Sequence, residues 1–347
     1  MSKKNNNGEG FHALAYLLFL GITILTLILC VCIGSVNIPF SETASVIWRA
    51  IIRQPLENSS YSAIILSVRL PRVLCVALTG AALSIGGGAM QGLLKNPLAD
   101  GSTLGVSSGA SLGAVLAIAF NITLPSQPFS GTMVMAILFA FASLIVILSL
   151  AYRLDYSLST NTIILIGVIF SMFMSSIISL VTTFAGEKVK NITFWTMGSL
   201  SGTDYQDAAL LLAALLIFGT IILCHARELN AFAIGEDNAR HIGVNVKRVR
   251  LVILISVSAL IGVCVSIGGT IGFVGLVTPH ITRMIVGPNH KKLLPAALFG
   301  GASFLMLADL ISRVLLNPLE LPIGVVTSFV GALLFIYIFY QSRRAGR

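Results

Sequence analysis

Acidic residues are scarce in this chain, 13 among 347, and lysine and arginine together contribute only 22 more charges. Long stretches therefore carry no charge. With 56% hydrophobic residues, 10% charged residues and a mean hydropathy of +0.95, the sequence falls outside the range of soluble globular domains. No Gly-Lys dipeptide occurs, so there is no Walker A loop to cradle a nucleotide's phosphates. The five cysteines, Cys30, Cys32, Cys75, Cys224 and Cys264, show neither metal-ligand spacing nor a secreted disulfide framework. No site for a metal or a catalytic group is read from the chain, which is not expected to be an enzyme. Also missing is the series of intramembrane carboxylates that ion-coupled carriers use. Only Asp309 and Arg313 fall well inside an apolar run, and with the acid four residues ahead they can pair on one helix face.

What is present is a succession of apolar runs near the roughly 20 residues that a helical span requires. They predict an all-α, polytopic membrane protein of about ten spans, near 12–34, 70–92, 104–120, 131–151, 161–184, 207–226, 250–267, 271–286, 293–315 and 322–341. The first run is too long for a signal-peptide core of about 7–15 residues and no clear cleavage site follows it, so it reads as a retained helix. Placing the N-terminus inside puts fifteen of the 22 basic residues on the cytoplasmic side, which favours N-in and C-in. The net charge of +9 is then a topology signal, and the chain meets lipid and not nucleic acid. Segments 35–67 and 185–206 are left on the outer side, each long enough for a short surface helix.

Small residues recur every four positions, at Gly80, Ser84, Gly88 and Gly92 and again at Gly105, Gly109 and Gly113. Such stripes let helix backbones approach closely in lipid. Gly105-Val106-Ser107-Ser108-Gly109 matches the spacing of a hydrolase nucleophile elbow, but that motif needs a strand before it, and here an apolar helix begins instead.

The exception to the general poverty of charge is an island from Arg227 to Arg250, with eight charged residues in twenty-four positions. It cannot lie in lipid. At its centre, Gly235 to Gly243 is a polar stretch bounded by glycines, which permit the turns that end short helices. Two short helices are predicted, near Glu228–Ile234 and Asp237–Ile242. With no nucleotide site and no coupling carboxylates, active transport would have to draw energy from another polypeptide docked here; an ion-coupled secondary transporter is the alternative.

From Arg69 onward the sequence resembles the membrane subunits of type II ABC importers for iron-siderophore, haem and cobalamin. The resemblance rests on Arg69-Leu70-Pro71-Arg72, Gln91 with Asn96-Pro97-Leu98-Ala99-Asp100, Leu104 to Gly109, the island, Gly268 to His280, Ala308-Asp309 and Glu320 to Thr327. It implies a bacterial plasma-membrane permease paired with a second permease subunit, two cytoplasmic ATPases that bind ATP-Mg, and an extracytoplasmic binding protein. This chain would bind no cofactor itself. The resemblance further implies that Gly235, Glu236, Asp237, Ala239, Arg240 and Gly243 couple to the ATPase. Arg69, Arg72 and Arg313 would meet the binding protein, while Asn96, Pro97, Leu98, Ala99 and Asp100, with Gly105 and Gly109, would form an inner gate and pathway.

Overall fold

The computed structural model describes residues 12–34, 36–54, 60–123, 130–156 and 159–345. Lys3, Lys4 and Arg347 of the charge count, and residues 35 and 55–59 of the first outer segment, lie outside the described residues. The described chain is helical almost throughout. In order, α1 is His12–Cys32, α2 Phe40–Ile51, α3 Ser60–Ala63, α4 Leu70–Leu93, α5 Val106–Ala119, α6 Ser130–Leu154, α7 Thr160–Phe184 and α8 Val189–Thr196. Then follow α9 Tyr205–Ala214, α10 Thr220–Cys224, α11 Ala226–Ile234, α12 Glu236–His241, α13 Val246–Gly268, α14 Val274–Val286, α15 His290–Val314 and α16 Ile323–Ala345. Seven helical runs are long and apolar enough to cross a membrane, and α5, α14 and part of α16 are shorter apolar helices.

The second run differs from expectation at its start. The apolar run places the start of this span near residue 70, yet the helix is continuous from Tyr61 to Leu93. A π-helical stretch, Ile64–Arg69, joins α3 to α4. There the Leu70 N–H donates to the Ile65 carbonyl, five residues back. Widening the turn in this way lets the chain pass Pro71, which has no N–H to give. A second π stretch, Leu215–Gly219, links α9 to α10 within one run.

The largely buried α4 is the hub, packed against α15, α13, α14, α9 and α11. The small-residue stripe makes this possible, since a Cβ at Gly80 would overlap the Gly301 carbonyl of α15. Gly109 and Gly113 press α5 onto α6 in the same manner, against Ser143 and the Met135 carbonyl, so this stretch is a packing face and not a nucleophile elbow. By contrast, α1 and α7 are mostly exposed.

Residues 271–286, read as one span, form only the 13-residue α14, about 20 Å long at 1.5 Å per residue. An extended stretch leads into it from Gly268, ending at Phe273 in the left-handed region with φ 66°. Non-helical backbone between apolar helices is tolerated where protein covers it. Here the Ser199 N–H donates to the Gly268 carbonyl at 2.8 Å, and the Thr270 hydroxyl donates to the Thr196 carbonyl. The segment after α7, expected to hold a surface helix, thus folds back through α8 and the turn behind it onto the broken end of α13.

Candidate functional site

The functional residues expected from sequence fall at two ends of the bundle. One end carries the charged island, the start of α15 and the turn after α4. The other carries the three arginines, the end of α1 and the end of α15.

At the island end, α11 and α12 form the expected pair of short helices, with Gly235 between them at φ 136°. Only glycine adopts that angle without strain. The individual side chains are sorted in a way the sequence did not show. Ala239 is fully buried, and Glu236 turns inward to pair with Arg250 of α13, itself only 1% exposed. Asp237, Arg240 and Gly243 face outward, with a salt bridge of 3.4 Å between Asp237 and Arg240. Two apolar side chains flank them, Ile234 at 72% and Ile242 at 69% exposed. These two isoleucines put apolar surface beside the outward-facing charges of α12.

The buried Arg250–Glu236 pair fixes the first turn of α12 to α13. Replacing Glu236 with Gln removes the charge and should loosen that turn. Hydrogen exchange of the α12 amides is expected to quicken about tenfold, the equivalent of about 1.4 kcal/mol. Unchanged protection would show that the pair does not hold the helix.

Beside α12, a cavity of about 630 Å³ opens between the island and the turn after α6, lined by Asp155, Tyr156, Arg240, Asn245 and Lys247 among others. The Lys247 ammonium lies 3.5 Å from the centre of the Tyr156 ring and 4.4 Å from that of Tyr152. The Tyr152 hydroxyl, and after it Lys247, hold the Tyr156 phenol below its ordinary pKa.

The expected gate segment lies at this same end. Lys95 takes a left-handed turn (φ 49°), and the Asn96 side-chain oxygen accepts from the Leu98 N–H at 2.9 Å. Leu98 is exposed, Ala99 is buried, and Asp100 faces an inner cavity of about 310 Å³. Hydroxyls dominate the polar lining of that cavity, from Ser107, Ser108, Ser111, Ser175, Thr196 and Thr270. Gly105 starts α5 with φ 79°, and both Gly105 and Gly109 are buried in helix packing.

At the opposite end, Arg69, Arg72 and Arg313 are brought together, but they point inward. All three are buried. Arg69 donates to the carbonyls of Val31 (3.1 Å), Cys32 (2.9 Å) and Val36. Arg313 donates to those of Cys30 (3.1 Å) and Ile33 (3.3 Å). These two guanidiniums therefore satisfy the orphan carbonyls at the end of α1, where positive charge also complements the helix dipole. Arg72 forks between Asp309, at 2.9 and 3.0 Å, and Glu320, at 2.8 Å. Arg313 reaches the other Asp309 oxygen at 2.9 Å, which is the i, i+4 pairing expected from sequence.

Comparison with known proteins agrees with this architecture. The model of the FecCD transport family matches residues 22–341. The uncharacterized ABC transporter permease protein YvrB of Bacillus subtilis is 41% identical over 96% of this chain and 95% of its own length. The hemin transport system permease protein HmuU of Yersinia pestis is 35% identical over 94% of this chain and 96% of its own. A solved structure described as a metal-chelate type ABC transporter in an inward-facing conformation superposes with a TM-score of 0.83 at 30% identity, covering 94% of this chain and 98% of that one. A helical bundle with an anchored, outward-facing helix pair at one end and a cavity of mixed hydroxyl and aliphatic lining behind it, matched by that family over nearly its whole length, is a FecCD-family chain, the permease subunit of a type II ABC importer.

Proposed function

We propose that this subunit carries a bulky metal chelate, an iron-siderophore or haem ahead of cobalamin, across the bacterial plasma membrane, driven by ATP hydrolysis in a separate subunit. The observation that carries the proposal is the α11–α12 pair: a rigidly anchored element with an exposed apolar and charged face, on a chain with no nucleotide site of its own. Two ATPases dock on these faces, one for each of two permease subunits. The seven long and three short apolar helices then make ten crossings, with the island on the cytoplasmic side and both termini inside. The residues at Asn96 to Asp100 act as the inner gate beneath the hydroxyl-lined cavity. Hydroxyls suit a large pre-wrapped cargo that presents amide and ether oxygens, whereas a bare cation would want several carboxylate or carbonyl ligands. A second permease subunit completes the pathway along α7, whose exposed face carries Ser175, Ser176, Ser179 and Thr183.

The extracytoplasmic binding protein docks at the opposite end, on the surface that Arg69, Arg72 and Arg313 organise. A direct guanidinium contact there requires Glu320 to leave Arg72, and Glu320 is the exposed member of that pair, at 35%. Exchange of one carboxylate for another at Arg72 would steer docking without adding much affinity.

The Ile234→Asp/Ile242→Asp variant tests the coupling face. Each isoleucine is placed as an anchor whose truncation costs more than about 1 kcal/mol, so co-purification of the ATPase should fall at least roughly tenfold. Transport should fall with it while the bundle stays folded. Unchanged co-purification and unchanged cargo-stimulated ATP hydrolysis would remove α11–α12 as the docking element.

A further inference from the structure

The α11 helix is tied to the rest of the bundle by an amide fork. The Asn230 side-chain oxygen accepts from the backbone N–H of His290 and pairs with its ring Nδ1, both at 2.8 Å, so the imidazole proton resides on Nδ1. The Asn230 amide nitrogen donates to the Asn289 side-chain oxygen at 2.8 Å. That oxygen also caps α15, accepting from the Lys291 N–H at 3.1 Å. One side chain of α11 thus grips the first turn of α15 at three points.

The far edge of the His290 ring lies directly against α4. Its Nε2 is buried and has no hydrogen-bond partner among the described residues, and a Cβ on Gly92 would collide with the ring. Gly92 is the penultimate residue of α4. Beyond it come the left-handed turn at Lys95 and the segment that delivers Asp100 and Gly101 to the wall of the inner cavity. A ring in contact with backbone has no flexible side chain beyond it to absorb a displacement. It transmits a push instead, as close-packed interiors do.

We infer that His290 is a positioning residue for transport: held by Asn230 and seated on Gly92, it carries movement of the ATPase-coupling helices to the gate segment at Asn96 to Asp100. The inference rests on the reading of α11–α12 as the coupling element. Transmission then depends on two features, the fork on one edge of the ring and the glycine on the other. His290→Asn keeps an amide where Nδ1 was and removes the edge that reaches Gly92. Asn230→Ala keeps the ring and removes the fork.

The experiment uses the complete importer with its ATPase, nitroxide-labelled in a chain lacking the exposed Cys224. One label pair, Leu154 with Asn238, reports the coupling helix; a second, Leu154 with Leu98, reports the gate segment. In the parent chain MgATP is expected to shift both distances. In His290→Asn and in Asn230→Ala the first shift should persist and the second should disappear. Basal ATP hydrolysis should be retained and cargo moved per ATP should fall at least tenfold. Adding Gly92→Ala to His290→Asn returns bulk to the gap from the other side and should restore part of the gate shift. If both variants keep the gate shift and the parent ratio of transport to hydrolysis, the assignment to His290 is overturned. If MgATP leaves the Leu154–Asn238 distance of the parent chain unchanged, it is the coupling reading itself that fails.

Discussion

Asp309→Asn is expected to destabilise the folded subunit by about 3–5 kcal/mol, the usual cost of removing one partner from a buried ion pair. Asp309 is only 1% exposed, yet two guanidiniums converge on its carboxylate from different helices. An amide keeps the shape and loses the charge. The amide offers one accepting oxygen in place of two, so Arg313 would lose its carboxylate partner and keep the neutral carbonyls at the end of α1, and Arg72 would keep only Glu320 as an anionic partner, whose partial exposure weakens its hold. The apparent melting temperature in detergent should fall by several degrees, on the order of 5–10 °C. Replacing the three buried charged residues of the cluster, with Arg72→Gln and Arg313→Gln added to Asp309→Asn, should recover part of that loss, because only Glu320 would keep its charge, and Glu320 is partly exposed to water. An unchanged melting temperature for the single variant would mean that the cluster is not closed as described.

Gly87→Val should be more damaging still. A Cβ at Gly87 would overlap the carbonyl of Gly275, and neither backbone can rotate out of the way as a side chain could. The α4–α14 contact is locked on both sides of this point. Thr278 donates to the Ser84 hydroxyl at 2.7 Å, and the Gln91 amide donates to the Leu276 carbonyl at 3.1 Å. Forcing two methyls and a Cβ between these anchors exceeds the usual overpacking cost of about 1–3 kcal/mol, since both bonds must stretch or break. The variant is expected not to accumulate as a monodisperse peak in size-exclusion chromatography, with Gly87→Ala intermediate. Gly21→Val is the control, because nothing lies within 4 Å of a Cβ placed there. Normal behaviour of Gly87→Val would contradict the close approach of α4 and α14.

Much of this architecture could be read from the chain because lipid penalises charge so strongly. Runs without charge marked the helices, and the dense charge of 227–250 marked the segment outside them. The glycine at 235 marked the joint between α11 and α12. Side-chain direction was less legible. A charged residue near the end of an apolar run is excluded from lipid, but it can be solvated or paired inside the protein, and both leave the same local pattern. Arg72 and its partner Asp309 are 237 residues apart, so no local window contains the pair. Glu236 and Arg250 are 14 apart, on different helices, and the inward turn of Glu236 was equally hidden. The Asn230–His290 fork spans 60 residues. The start of the second run was hidden as well, because the π stretch that carries the helix into Pro71 has no sequence signature of its own.

The hydroxyl stripe of α7 bears on how the importer is built. Ser176, Ser179 and Thr183 each donate back to the carbonyl four residues earlier, at 2.9–3.0 Å. A hydroxyl bonded in this way already uses its O–H within the helix, so these three donors are satisfied without a neighbouring chain. A freshly inserted copy can rest in the bilayer before it has a companion, without aggregating to hide that face. Pairing with a second permease subunit would then be governed by lateral encounter between finished subunits, so the number of working importers would follow the product of the two subunits' densities while they are few.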